Sequence, residues 1–431
     1  MGNDVSPEKD SEPLIQLMTS AGIFMVPVDV IGFLISGGIC MLESVALILA
    51  AGLVSGWICR KIGLPPLIGM LISGMVMGPY ALNVIDSSVL DIGTDLRQIA
   101  LIIILLRAGM NLDAQDFLKV GPAALLMCFV PATCEIIGVT IFGVTLLGLN
   151  VSEGLVLGSV LAAVSPAVVV PHMLKIMEEG YGTKEGIPQV ILAGASADDI
   201  YVIVLFSCFT ALAQSGHFNA ETLMRIPTSI VLGILAGIAL GKVMDVVFDK
   251  VSFDLTTQLI ILMTLSFGMV TLERVMTGMI GFSGLLAIMA MGLVMRRLNL
   301  ERTQDLSATL GSMWTCAQIF LFVLVGAVVD LSAVPSAGLT IALVIAGGLL
   351  FRMAGTFMAV SASKFSMKEK LFCMISYTPK ATVQAAIGAI PLSMGLACGH
   401  TVLTTAVMAI LITAPLGALM IDLTYKRLLS H

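Results

Sequence analysis

Two adjacent carboxylates, Asp198 and Asp199, lie inside the apolar run Ala193-Gly-Ala-Ser-Ala-Asp-Asp-Ile200. A charged side chain in a membrane span is costly and is kept facing other charges or a water-filled cavity, so an adjacent pair calls for a bound cation or a transported proton. Neighbours on a helix are about 100° apart, so the two aspartates cannot share a face but can address two partners. The other ionisable residues read as lying within spans are Glu135, Arg352 and Lys380. Arginine stays protonated at any working pH, so Arg352 can be an ion-pair partner but not a proton carrier. Lys380 is open between neutralising helix ends and pairing with an aspartate. The cluster as a whole is open between an ion site and a buried salt-bridge network that only holds helices together. The aspartates favour the first, Glu135 and Arg352 the second.

The elements that must position these residues are membrane helices. Hydrophobic residues make up 58% of the 431 and charged residues 12%, and the mean hydropathy is +1.04. An ordinary soluble domain is excluded by that composition. A helix needs roughly 20 apolar residues to cross the hydrocarbon core. Fourteen candidate spans begin near residues 14, 41, 64, 96, 120, 154, 187, 226, 255, 280, 306, 335, 371 and 401. The acidic leading residues (Asp4, Glu8, Asp10, Glu12) do not resemble a secretory signal. With both termini cytoplasmic, sixteen of the 22 Lys and Arg residues fall in inner loops and three outside, at Arg97, Arg225 and Arg274. Basic residues are retained on the cytoplasmic face, so the bias supports an even number of spans. The net charge of -6 argues against a nucleic-acid partner, and the eight cysteines form no Cys-x-x-Cys pair. They read as small apolar packing residues.

Two internal matches share one offset. Leu67-Ile-Gly-Met-Leu-Ile-Ser-Gly-Met-Val-Met77 and Leu285-Leu-Ala-Ile-Met-Ala-Met-Gly-Leu-Val-Met295 are identical at four of eleven positions, 218 residues apart. Gly109-Met-Asn-Leu-Asp113 and Gly326-Ala-Val-Val-Asp330 lie 217 apart. Spans seven apart in sequence point in opposite directions, so the repeat is expected to be inverted, as in many secondary transporters with helices broken at the midplane. Ser165-Pro166 with Pro171 marks one break and Thr378-Pro379-Lys380 the other. Proline removes a backbone donor, and the freed carbonyls and amides are tolerated at membrane depth only in a polar cavity.

These residues match a known family. The chain resembles the cation:proton antiporters, and within them the NHA-type sodium/proton exchangers. The resemblance rests on Leu106-Arg-Ala-Gly-Met-Asn-Leu-Asp113, Ala163-Val-Ser-Pro-Ala-Val-Val-Val-Pro171, Glu178-Glu-Gly-Tyr-Gly-Thr-Lys-Glu-Gly-Ile-Pro188, Ser196-Ala-Asp-Asp-Ile200 and Pro379-Lys-Ala-Thr-Val-Gln-Ala-Ala-Ile-Gly388, and spans roughly residues 60 to 425. It implies an all-α polytopic fold of inverted-topology repeats with two crossing broken helices, assembled as a homodimer among lipids of a bacterial inner membrane. The expected domains are an extra N-terminal helix (1–40), the first part of a dimerisation domain (41–95), the first half of a core domain (96–214), a linker helix with the rest of the dimerisation domain (215–300) and the second half of the core (301–431). The family implies that Asp199 is the principal cation carboxylate and Asp198 its neighbour, binding transported sodium or lithium in exchange for protons with no cofactor. Electrogenic relatives place a lysine where this chain has Arg352, and the NHA branch pairs that arginine with a glutamate, matched by Glu135. Ser165 and Ser196 are candidate further ligands.

A charge count follows. With Glu135 cancelling Arg352 and Lys380 offsetting one aspartate, one negative charge remains for one sodium or one proton, which gives electroneutral exchange. Proton movement through deprotonation of Lys380 is the alternative. A potassium/proton antiporter and a sodium-coupled organic-anion symporter are competing classes, the second disfavoured because paired aspartates suit a substrate with no anionic part. An intramembrane aspartyl protease, the enzyme class considered, needs its aspartates on separate helices.

Overall fold

The computed structural model describes residues 40–111, 122–215, 220–276, 282–329 and 334–431, and among them every regular element is a helix. In hydrocarbon each backbone N–H and C=O needs an internal partner, which a helix supplies within one segment. In chain order the helices are α1 Met41–Lys61, α2 Pro66–Met77, α3 Ser87–Asp91, α4 Gly93–Asn111, α5 Pro122–Met127, α6 Val130–Leu147, α7 Val151–Leu161, α8 Pro166–Glu178 and α9 Ile187–Ser215. They continue as α10 Ala220–Lys250, α11 Leu255–Met276, α12 Gly284–Leu298, α13 Leu300–Ala327, α14 Val334–Ser361, α15 Met367–Ser376, α16 Thr382–Ile387, α17 Ile390–Ser393 and α18 Gly399–Leu428. Among the described residues, eight stretches are long and apolar enough to cross a membrane: 41–61, 122–147, 151–178, 228–250, 255–276, 300–327, 338–361 and 399–428. The chain is an all-helical integral membrane protein. The expected span near residue 14 lies outside the described residues.

Local sequence sets the helix ends nearest the site. Asn150 and Glu153 form a reciprocal capping box that starts α7, and Ser366 and Glu369 do the same for α15. α7 stops at Leu161, and α8 restarts at Pro166, where the missing N–H costs nothing because the first turn has no intrahelical acceptor for it. α15 stops at Ser376 and α16 resumes at Thr382. The two proline-marked stretches are therefore interruptions, and they touch: the Ser165 amide donates to Pro379 O at 2.9 Å.

Packing sorts the helices into two groups. α1, α2, α4, α12 and α13 pack on one another, with α10 and α11 against α12. The second group is α5 to α9 with α14 to α18. The groups meet where α16 touches α4 and α13, where α9 touches α10 and α12, and where α18 touches α2. The expected boundaries at 96 and 301 fall on the near side of α4 and α13, which pack on helices of the first group. The divisions by packing fall between α4 and α5, between α9 and α10, and between α13 and α14.

The reason α4 and α13 stay with the first group is visible in four glycines. A Cβ at Gly74 would collide with the Val323 carbonyl and lie 3.0 Å from the Ala327 nitrogen, and one at Gly292 would lie 2.9 Å from both the Leu106 oxygen and the Met110 nitrogen. A Cβ at Gly109 would strike Met289 O, and one at Gly326 would strike Leu71 O. Small residues let membrane helices approach backbone to backbone, where dispersion contacts supply the attraction that the hydrophobic effect cannot. The two crossings are matched residue for residue: Leu106 and Val323, Met110 and Ala327, and Gly109 and Gly326 are each 217 apart, while Leu71 and Met289, and Gly74 and Gly292, are 218 apart.

Candidate functional site

The site forms where the two interruptions face α6, α9 and α14. An interrupted helix exposes carbonyls and amides that need partners, and several here meet a side chain or the other interruption. Arg352, fully buried on α14, spreads its guanidinium across both. Its Nε donates to Tyr377 O at 2.5 Å, and its Nη1 donates to Ala162 O and to Glu135 Oε2, the latter at 2.8 Å. Its Nη2 donates to Asp198 Oδ2 at 2.8 Å. The guanidinium also lies 5.1 Å from the centroid of the Tyr377 ring, a cation–π contact. The fixed fork of donors makes this possible, and a lysine has no equivalent geometry.

Asp198, on α9, is engaged on one oxygen. Its Oδ2 accepts from Arg352 and from the Val164 amide, the latter at 2.8 Å, while its Oδ1 is buried with no hydrogen-bond partner. Asp199 differs. Its Oδ1 is buried without a partner, and among the described residues no ion pair or hydrogen bond reaches it. Ser165 Oγ, at the N-cap of α8, and Gln384 Oε1, on α16, are also buried without partners. Buried polar atoms left unpaired are rare and each needs a reason.

The structure brings Glu135, Asp198, Arg352 and Lys380 into one network and sets Asp199 beside it without a partner of its own. One pairing differs from the charge count above. Lys380 Nζ contacts Glu135 Oε2 at 2.5 Å instead of an aspartate, because Glu135 projects from α6 into the space between Arg352 and the second interruption. The Lys380 amide donates to Thr413 Oγ1 on α18 at 2.9 Å. Three carboxylates then face two cations, and the unbalanced negative charge sits with the aspartate pair. The side chain of Ser196 lies outside the described residues. Gln384, Thr413 and Tyr377 were not singled out from the sequence. Their signal is indirect: every interruption frees backbone groups, and a glutamine three residues into the resumed helix is a ready donor for them.

The transmembrane sodium/hydrogen exchanger family model matches residues 19–426. The chain belongs to that family. Sodium/hydrogen exchanger 9B2 of Mus musculus is 34% identical to this family member over 380 residues, covering 85% of this chain and 69% of that protein. Sodium/hydrogen exchanger 9B1 of Homo sapiens is 32% identical over 388 residues, covering 85% of this chain and 73% of its own. In fold, the sodium proton antiporter MjNhaP1 from Methanocaldococcus jannaschii at pH 8 is similar with a TM-score of 0.78 at 21% identity, over 91% of this chain and 99% of that one.

A cavity of about 430 Å³ opens between the two helix groups, lined by Thr94, Gln98, Thr210, Gln214, Glu273 and Arg274 among others. α9 passes from the 179–186 loop through Asp198 and Asp199 to this cavity, whose nearest wall residue on the helix is Phe206. Seven residues of helix rise place that wall roughly 10 Å from Asp199. Arg97, counted from the sequence among the outer loop residues, is buried within α4 and donates to Thr94 Oγ1 at 3.0 Å.

Proposed function

We infer that this protein is a secondary-active sodium/proton antiporter, and that the cation and the proton compete for Asp199 with Asp198 beside it. Membership of the exchanger family supports the exchange. The observation that carries the assignment within the site is the contrast between the two neighbours. Asp198 Oδ2 is fixed by Arg352 and by the Val164 amide, whereas Asp199 Oδ1 is buried with no donor. A cation or a proton answers that need. Ser165 Oγ, buried without a partner next to the Val164 amide that holds Asp198, and the carbonyls of that interruption are candidate neutral oxygens. With two carboxylates they make an oxygen set suited to a small hard ion, sodium or lithium.

The charge balance favours one-for-one exchange. Arg352 and Lys380 neutralise Glu135 and one aspartate charge, so a single sodium or a single proton completes the site, and loaded carriers of either kind bear the same charge. Fourteen spans with both termini cytoplasmic fit the bias of Lys and Arg to inner loops in the sequence. The matched glycine crossings support an inverted repeat, and the group containing α1, α2 and α10 to α13 is the part that would hold a homodimer together. Alternating access then consists of the α5–α9 and α14–α18 group moving against it, with the 430 Å³ cavity as the path from the side remote from the 179–186 loop.

The test is proton movement in sealed proteoliposomes on addition of sodium, lithium or potassium, with the membrane potential clamped or reversed. Sodium-driven proton flux that disappears in Asp199→Ala and ignores the potential is the expected result. Flux that follows the potential contradicts the one-for-one count, flux driven by potassium alone contradicts the cation assignment, and its absence in folded protein contradicts antiport.

A further inference from the structure

Ala163 O and Val164 N belong to one peptide unit. Its amide donates to Asp198 Oδ2 at 2.8 Å, and its carbonyl accepts from Gln384 Nε2 at 2.8 Å. The same Nε2 also reaches Leu161 O, the last carbonyl of α7, at 3.3 Å. A trans peptide points its C=O and N–H to opposite sides, so Gln384 and Asp198 lie on opposite sides of one peptide plane and are joined through it. Gln384 is fully buried. Its amide orientation is set by its neighbours, since turning it over would put Oε1 against two carbonyl oxygens. Gln384 belongs to the second interruption and the peptide to the first, so the link spans the two halves of the chain.

We propose that Gln384 is a positioning residue for exchange: through the Ala163–Val164 peptide it holds and polarises the amide that stabilises the Asp198 carboxylate. The assignment rests on the reading of Asp198 and Asp199 as the exchange site. The physical basis is that hydrogen bonds in a chain strengthen one another in a low-dielectric interior. A donor on the carbonyl draws electron density from the peptide and makes its N–H a better donor to an anion. It also anchors the non-helical segment between α7 and α8, residues 162–165. Gln384 does not need to touch the cation. Its effect is to hold the amide on Asp198 Oδ2 and so to favour the carboxylate arrangement that accepts the cation.

The test compares wild type, Gln384→Leu and Gln384→Glu for sodium-driven proton flux in proteoliposomes, with KM for sodium and kcat measured separately across pH and the melting temperature recorded in detergent. Leucine keeps the bulk and removes the donor. With one neutral hydrogen bond lost from the chain, KM for sodium should rise about three- to ten-fold. The pH–activity profile should move to more alkaline pH, with kcat little changed. Glutamic acid donates only while protonated, so Gln384→Glu should resemble wild type at neutral pH and lose activity at the alkaline end, where wild type does not. If Gln384→Leu fails to assemble, the alkaline loss in Gln384→Glu decides alone. A melting-temperature loss or a kcat loss with KM and pH profile unmoved would make Gln384 a brace and overturn the assignment. Absence of sodium-driven flux in folded wild type would overturn the exchanger reading and this assignment with it, a failure distinguishable from one confined to the variants.

Discussion

The two halves of the chain meet in two different ways. At the α2/α13 and α4/α12 crossings they meet backbone to backbone through glycines, and each crossing repeats the other. At the interruptions they meet through charge and hydrogen bonds, and the correspondence is lost. The first interruption is held by Arg352, Gln384 and Asp198, the second by Arg352, Thr413 and the Ser165 amide. A scaffold needs only small residues at close approach, and both crossings have them. The proposed ion site is one-sided: Asp198 and Asp199 lie in the first half of the chain, and the cations of their network, Arg352 and Lys380, in the second.

Variants can break either kind of meeting. The largest effect is expected at Arg352, which serves both interruptions: Arg352→Ala leaves Asp198 without its cation, Glu135 with Lys380 alone and two carbonyls without a donor, and removal of one partner of a buried pair costs about 3–5 kcal/mol. Arg352→Lys should recover little of it in melting experiments, because a lysine cannot fork. On the apolar side, Gly326→Val forces side-chain atoms into Leu71 and should destabilise by about 1–3 kcal/mol or prevent assembly. Gly268→Ala on α11, where a Cβ would meet nothing within 4 Å, should be neutral or raise stability by up to about 1 kcal/mol. Equal losses at Gly326 and Gly268 would mean that the crossings are not close-packed.

The aspartates should separate as the hydrogen bonds do. Asp198→Asn weakens the tie to Arg352 and should cost about 1–3 kcal/mol. Asp199→Asn removes a charge with no described partner and should leave the melting temperature unchanged or higher while exchange is lost. The smallest effect lies outside the site. The Tyr425 hydroxyl donates to Glu179 Oε2 at 2.7 Å and holds that carboxyl below its ordinary value of 4.5. A carboxyl depressed in the folded state contributes stability above its unfolded value and loses it as pH falls through the folded value. Tyr425→Phe should therefore melt slightly below wild type at pH 7, with the gap closing as the pH drops below the usual carboxylate range.

Much of this was legible in the sequence. The aspartate pair stands out because charge is rare in apolar runs, and the interruptions because Ser-Pro and Thr-Pro free backbone groups; the Glu135–Arg352 pair came from the family resemblance. The partner of Lys380 was not legible. Three carboxylates and two cations can be paired in several ways, and which is realised depends on the depth at which α6 delivers Glu135. The grouping of α4 and α13 with α2 and α12 was not legible either, because it follows glycine contacts that hydropathy does not register. Gln384 and Thr413 escaped because neutral polar residues in a span are unremarkable until the freed carbonyls and amides are counted.

The most direct test of the division between the two aspartates is the melting temperature of the purified protein as sodium chloride replaces choline chloride at constant ionic strength. A cation that binds only the folded state stabilises it in proportion to the logarithm of its concentration once above Kd. Wild type should rise with sodium, and Asp199→Asn should start at or above the wild-type temperature and stay flat. A sodium response in Asp199→Asn equal to that of wild type, or a loss of stability as large as that of Asp198→Asn, would contradict the assignment of Asp199 as the residue that carries the ion.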